Sequence, residues 1–167
     1  MIYANTTLVQ SRIREAVKHA LSQITVANGY KTTIVEILDD PPASLSAVAS
    51  KPAIVPMWGA TRHYSETNCD TSFESLLWLY AVADEQSNVS LAIENLGGDV
   101  CACIGLYPSL PHPVAVNNDY ETVQRARIDS VEPFGNRDSR PAVGVKIGVR
   151  IWWGFRTSDP SIVGSAL

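Results

Sequence analysis

Two segments of the chain repeat apolar residues at a spacing of three or four. The first runs from about Leu8 to Ile24, and its apolar positions are Val9, Ile13, Ala16, Val17, Ala20, Leu21 and Ile24. The second has the same period over Val89, Ile93, Leu96, Val100, Cys103 and Tyr107. A period near 3.6 residues is typical of an amphipathic helix, so the sequence predicts two helices that face a core.

Polar residues mark where these helices should begin, and glycines interrupt the second one. A residue of Asn5–Thr7 can cap the first helix, and Asp84 or Ser87 can cap the second, because such side chains accept hydrogen bonds from first-turn N–H groups. Gly97 and Gly98 each cost about 1 kcal/mol relative to alanine inside a helix. The second helix is therefore expected either to bend there or to approach another backbone closely.

Extended segments are predicted before and between the helices. β-Branched and aromatic residues favour a strand from Tyr30 to Leu38. The apolar segment Pro52–Trp58 contains Pro56, which predicts an edge strand or one that ends early. Thr61–Thr71 is polar and predicts a turn, whereas Phe73–Ala83 is almost continuously apolar, as in a strand covered on both faces.

The C-terminal third predicts a long β-hairpin, with strands at about Tyr120–Glu132 and Ala142–Phe155 joined by a polar loop. The second strand alternates cleanly, with β-branched and aromatic residues on one side and Gly, Lys, Arg and Trp on the other. At ~3.3 Å per residue it would span about 46 Å, so the hairpin bends across the sheet or projects from it. Its flat Gly/Arg/Trp side predicts a contact surface, and cover by one of the helices is the alternative.

These elements predict a single domain over residues 1–167, with flexible loops at about 39–51 and 108–118. The expected fold is α/β, of the α+β type: two main helices pack on a mostly antiparallel mixed sheet with a long C-terminal hairpin. Hydrophobic residues make up 46% of the chain and charged residues 18%. The charged share is below that of an average domain, about 25%. Part of its surface is therefore expected to be covered by a partner.

The charge pattern argues against nucleic-acid binding as the main activity, because the net charge is -4 and the chain has no Lys/Arg run. No window approaches ~18 uninterrupted apolar residues, and the N-terminus lacks the features of a secretory signal. We expect no membrane partner and synthesis in the cytoplasm.

Potentially reactive side chains are few and scattered. They are Cys69, Cys101, Cys103, His19, His63 and His112. The odd cysteine count argues against a disulfide framework, and the spacing of Cys101 and Cys103 does not match the usual zinc pattern. We therefore expect packed cysteines and solvated histidines, with no catalytic residue, cofactor or metal. A thiol nucleophile that pairs Cys69 with His63 or His112 is the alternative from another class, a small cytosolic hydrolase.

Basic residues concentrate in the last third of the chain, at Arg125, Arg127, Arg137, Arg140, Lys146, Arg150 and Arg156. They fit a solvated hairpin with cross-strand ion pairs, and the alternative is that some form salt bridges between subunits or line a lumen. The residues predicted for an oligomer or partner interface are Arg137, Arg140, Lys146, Arg150, Trp152 and Arg156.

The order of these elements resembles the tail-terminator and tail-completion proteins of tailed bacteriophages, of which the lambda tail terminator is the type. The segments that carry the resemblance are Ile24–Thr32, Lys51–Val55, Leu77–Ala83, Asn95–Val100 and Val149–Pro160. Together they span most of residues 8–160, and none is a catalytic signature.

The resemblance implies a non-enzymatic virion protein that is assembled in the host cytoplasm. Such proteins form homo-oligomeric rings, commonly hexamers, that cap the tail tube, end its polymerisation and join the tail to the neck or head connector. The implied partners are further copies of the chain, the tail-tube protein and the connector, with DNA passing through the lumen. A neck or head-completion adaptor is the alternative within this class.

Overall fold

The computed structural model of the chain describes residues 3–66, 70–84, 88–106, 125–135 and 142–156. Two α-helices and five strands lie within these ranges, together with 3-10 turns at Val26–Asn28 and Leu45–Ala47. The helices are α1 (Tyr3–Ser22) and α2 (Val89–Leu106), and the strands are β1 (Glu36–Ile37), β2 (Ala53–Glu66), β3 (Asp70–Val82), β4 (Arg125–Phe134) and β5 (Gly144–Arg156).

The strands form one mixed sheet in the order β1-β2-β3-β5-β4. β1 runs parallel to β2, and every other neighbouring pair is antiparallel. The expected α+β fold, with two helices on a mostly antiparallel mixed sheet and a C-terminal β4–β5 hairpin, is confirmed. β5 extends over 13 residues and pairs with β3 along its whole length, so the hairpin lies within the sheet.

Both helices pack on the same face of the sheet. The periodic positions of α1 from Ile13 onward are buried against it, as are Leu96, Val100, Cys103 and Ile104 of α2. The sheet contributes alternate residues to this core: Leu77, Leu79 and Ala81 of β3, and Val145, Ile147, Val149, Ile151 and Trp153 of β5. The two periodicities in the sequence, 3.6 for the helices and 2 for β5, thus describe the two sides of one hydrophobic core.

The beginnings of the helices differ from the sequence prediction. α1 already starts at Tyr3, so Asn5–Thr7 lie inside it and do not cap it. The side chain of Asn88 caps α2, because its Oδ1 accepts a hydrogen bond from the Leu91 N–H at 3.2 Å. Asp84 lies five residues before the start of α2 and is not the capping residue, and Ser87 lies outside the described residues.

Gly97 marks a close contact between α2 and β5. A Cβ atom added there would lie 3.3 Å from Cγ1 of Val145. The glycine therefore permits α2 to pack closely on the sheet, although the neighbour is a side chain rather than the expected backbone.

α2 is long and apolar enough to cross a membrane by those criteria alone, with a mean hydropathy of 1.4 over its 18 residues. Its hydrophobicity also has a local explanation, because one side of the helix packs on the sheet. The carboxylate of Asp99 on this helix is nearly buried and accepts a hydrogen bond from the Thr32 N–H at 2.7 Å. That contact ties α2 to the segment that follows α1.

The N-terminal strands depart most from expectation. Of the strand expected at Tyr30–Leu38, only the two residues of β1 are extended in the sheet. β2 continues through Pro56 for 14 residues, so of the two predicted alternatives the edge strand holds and the early end does not. In the described part of the sheet, β1 pairs with β2 only at Ala53 and Ile54, so Pro56 lies beyond β1 on an edge. Proline is tolerated at such an edge position.

The polar segment Thr61–Thr71 is strand rather than turn in its described part, which was the clearest error of the sequence prediction. Thr61 pairs with Ser75 and His63 with Phe73, so β2 and β3 form a long antiparallel hairpin. β5 supports the same end of β3 from its other side, since Asp70 pairs with Arg156. Cross-strand pairing on both sides of β3 thus supports strand structure in residues whose polarity favoured a turn.

The opposite face of the sheet is covered at one end by the segment 39–51, which was predicted to be flexible. Val48 in this segment is buried against Val55 and Val82, with Leu45, Tyr80 and Phe134 packed around them. β3 is therefore covered on both faces near Val82, whereas Trp78 farther along is half-buried. The predicted loop at 108–118 lies outside the described residues.

Candidate subunit interface

The face of the sheet opposite the helices, beyond the part covered by residues 39–51, is called the open face below. Since Val149, Ile151 and Trp153 face the helices, the alternate residues of β5 must point the other way. The open face consists of Arg62 of β2, Glu74, Leu76 and Trp78 of β3, Arg125, Arg127, Asp129 and Glu132 of β4, and Lys146, Gly148, Arg150 and Trp152 of β5. Neither α1 nor α2 covers it, so cover by a described helix, the alternative for the Gly/Arg/Trp side, is wrong.

Arg150 forms the centre of an ion-pair network on this face. Its guanidinium donates to Glu74 Oε1 at 2.7 Å and to both carboxylate oxygens of Asp129 at 3.1 Å. The pKa of Arg150 is raised by its hydrogen bond to Asp129, which has the larger effect, and by its hydrogen bond to Glu74. The same bond from Arg150 lowers the pKa of Asp129. The three side chains therefore join β3, β5 and β4 and fix the orientation of Arg150.

A register shift in β4 gives Asp129 this position. Ile128 pairs with Val149 and Ser130 with Gly148, which leaves Asp129 as the extra residue between them. Arg127 lies directly opposite Arg150, an arrangement of like charges that would be unfavourable by itself. Attraction between Asp129 and both arginines offsets that repulsion.

Two further cations of the open face lie over tryptophan rings. Nζ of Lys146 is 3.7 Å from the centroid of the Trp78 ring, and Cζ of Arg125 is 5.7 Å from that of Trp152. Each such contact contributes about 0.5–1 kcal/mol at an exposed site. The cations and the rings thus form an ordered layer on the sheet.

Gly148 keeps this layer flat. A Cβ atom there would lie 2.7 Å from Ser130 Oγ and 2.9 Å from Cζ3 of Trp78, so any larger residue would displace the indole. Trp78 can therefore lie directly over the strand. The result is a layer of indole, guanidinium and ammonium groups on the sheet.

Three of the predicted interface residues, Lys146, Arg150 and Trp152, lie together on the open face. Arg156 is the last paired residue of β5 and lies opposite Asp70. Arg137 and Arg140 lie outside the described residues. The sequence prediction missed Glu74, Trp78 and Asp129. Strand alternation through Phe73–Ala83 could have placed Glu74 and Trp78 on one face, but the register shift that positions Asp129 has no clear sequence signal.

The cysteines of α2 are packed groups. Cys103 is fully buried, and its Sγ donates a hydrogen bond to the Ala20 carbonyl oxygen at 3.1 Å. Burial raises the pKa of Cys103 to about 11, against the opposing effect of a hydrogen bond with Tyr30, and burial also raises the pKa of Cys101. Among the described residues, no group of three His, Cys, Asp or Glu side chains is placed to bind a metal.

We expect Cys103 to resist alkylation in the native protein. Because the thiolate is the nucleophile and burial raises the pKa to about 11, little thiolate forms at pH 8, and burial also limits access of the reagent. Iodoacetamide should modify Cys103 at a rate set by unfolding, with a large acceleration in denaturant, as measured by peptide mass spectrometry. Half-buried Cys101 on the same helix is the internal control and should react faster. Equal, rapid native modification of both thiols would contradict the packed geometry.

No protein-family model matches this chain, and a search among curated proteins finds no match. The geometry of the open face and the sequence resemblance to tail-terminator proteins are the remaining indications of function.

Proposed function

We propose that this chain is a non-enzymatic structural subunit of a tailed-bacteriophage virion. In this proposal several copies, six by analogy with the resembling proteins, form a ring that caps the tail tube. The ring ends tail polymerisation and joins the tail to the neck or head connector. The single observation that carries the proposal is the open face, a flat surface of Trp, Arg and Lys that the described helices leave uncovered.

The composition of the open face suits a protein contact. Tryptophan and arginine are enriched among residues that dominate binding energy at interfaces. Here Trp152 and Arg150 are partly exposed and already oriented by Arg125, Glu74 and Asp129, so little side-chain entropy would be lost on association. The low charged share of the chain agrees with a surface that is covered in the assembly.

The proposed mechanism is surface complementarity. One side of the ring matches the end of the tail tube, and the other side offers no site for the next tube subunit. Growth stops because the added layer cannot be extended, and no bond is made or broken. The raised pKa of Cys103 argues against a thiol nucleophile at that residue, whereas Cys69 and His112 of the thiol-enzyme alternative lie outside the described residues.

The proposal predicts that Arg150→Glu abolishes tube capping. The substitution would place a third carboxylate beside Glu74 and Asp129 and disorder the centre of the open face. Wild-type protein added to polymerising tail-tube protein should give short tubes with a ring at one end, as seen by negative-stain microscopy. With Arg150→Glu, tubes should grow as long as they do without any cap.

Two matched variants separate capping from folding. Arg14→Glu makes the same charge reversal on α1, away from the open face, and should cap normally. Trp152→Ala leaves the ion-pair network in place and should also reduce capping. Loss of capping in both variants would show that the effect does not come from a folding defect in Arg150→Glu alone. Wild-type protein that forms rings without binding tube ends, and instead binds the portal side of the neck, would assign it to the adaptor class.

A further inference from the structure

Charges of opposite sign are segregated at the two ends of the strand order. At the β1 end, three carboxylates occur within five residues: Glu36, Asp39 and Asp40, all exposed and together called the acidic edge. Lys18 on α1 bonds to Asp39. No basic residue occurs in the chain from Thr32 to Ser50, so this stretch keeps a net negative charge even though Lys18 pairs with Asp39.

At the other end, the open face carries an excess of positive charge. Arg125 and Arg127 of β4 are exposed there and, with Trp152 of β5, are called the basic corner, whereas Arg62 lies on β2 and is not part of it. Arg150 adds no positive charge to it, because the two carboxylates of Glu74 and Asp129 carry one negative charge more than its guanidinium offsets. The basic corner thus presents arginines around a half-buried indole, although the net charge of the whole chain is -4.

The acidic edge and the basic corner cannot meet within one subunit. β1 and β4 are the two outermost strands, so four strand spacings, or roughly 19 Å, separate them across the sheet. They are also offset along the strands: β1 aligns with Ala53 and Ile54, which lie near the Gly144 end of β5, whereas Arg125 pairs with Trp152. Contact between them therefore requires two molecules.

We propose that the acidic edge of one copy binds the basic corner of the next copy. The two patches are different, so the contact is head to tail rather than two-fold symmetric. An interface of this kind propagates around a rotation axis and closes into a ring when the angle permits. This inference rests on the proposed ring function and names the surfaces that would form it.

Reversal of the charges at each patch tests the contact in the full-length protein. Glu36→Lys with Asp40→Lys should abolish assembly, and so should Arg125→Glu with Arg127→Glu, because like charges would then face each other. The mass of each variant, measured by multi-angle light scattering, should fall from the wild-type oligomer to the monomer. Wild-type assembly should also weaken as salt rises from about 0.1 to 1 M, where screening shortens the Debye length from about 10 to 3 Å.

The decisive test is whether assembly is recovered when the charges of both patches are reversed. The chain that carries all four reversals has both patches inverted and should assemble like the wild type. An equimolar mixture of the two monomeric double variants should also assemble, with the variants alternating around the ring. Glu15→Lys with Glu94→Lys, two exposed reversals on the helices, is the matched control and should leave the wild-type mass unchanged.

Several results would overturn the inference. They include wild-type mass in either double variant, absence of recovery in both the fourfold variant and the mixture, and a wild type that stays monomeric at every concentration and low salt. Binding of a fluorescent single-stranded oligonucleotide by such a monomer, with loss on Arg125→Glu and Arg127→Glu, would assign the basic corner to nucleic acid. Rings that persist in the double variants and still cap tubes would overturn this contact and leave the proposed function intact.

Discussion

Replacement of Trp153 by alanine is expected to destabilise the fold by about 3–5 kcal/mol, the usual cost of truncating a buried large aromatic residue. Trp153 is fully buried, stacks on Phe73 at a centroid distance of 4.8 Å and donates from Nε1 to Ser75 Oγ at 2.8 Å. The substitution would leave a large cavity between the sheet and the helices. It would also remove one hydrogen-bond partner of the buried Ser75 hydroxyl, which also contacts Thr61 Oγ1.

The adjacent Trp152 is the matched control, because strand alternation turns it to the open face. Trp152→Ala should cost much less stability than Trp153→Ala, since its indole is half-buried, but it should impair assembly. Urea unfolding of each variant, fitted to a two-state transition, measures the difference in the free energy of unfolding. Equal losses of stability in the two variants would contradict the assignment of opposite faces.

The opposite orientation of these neighbours was predictable from the sequence, because apolar and other residues alternate without interruption from Val143 through Trp153 of β5. The helices were predictable for a related reason: their apolar residues recur with the helical period, and the buried ones contact the same face of the sheet. Where one face of an element packs on a core and the other does not, residue type reports orientation directly. The placement of Lys146, Arg150 and Trp152 on one surface followed from that rule.

The β2–β3 hairpin was not predictable, because its far end has no apolar alternation to report. Thr61, Arg62 and His63 are extended through pairing with β3, and β3 is held in turn by β5 on its other side. The partners of Arg150 were hidden for the same reason. Glu74 lies 76 residues away in the chain, and Asp129 depends on a register shift. Long-range pairing, rather than local preference, determines both features.

Gly144→Ala is expected to destabilise the protein by about 3 kcal/mol, at the upper end of the usual cost of overpacking a core. A Cβ atom at Gly144 would collide with the backbone carbonyl oxygen of Ala81 and would lie 2.9 Å from Cζ of Phe134. Backbone on the neighbouring strand cannot move aside as a flexible side chain can. The start of β5 would have to separate from β3, where Val82 pairs with Gly144.

Gly98→Ala is the matched control, because no heavy atom lies within 4 Å of the added methyl group. Removal of a helix-interior glycine should there stabilise the protein by up to about 1 kcal/mol. The midpoints of thermal unfolding should therefore shift in opposite directions, downward for Gly144→Ala and upward for Gly98→Ala. An unchanged midpoint in Gly144→Ala would mean that β5 joins β3 in a different register, and the residues assigned to the open face would change with it.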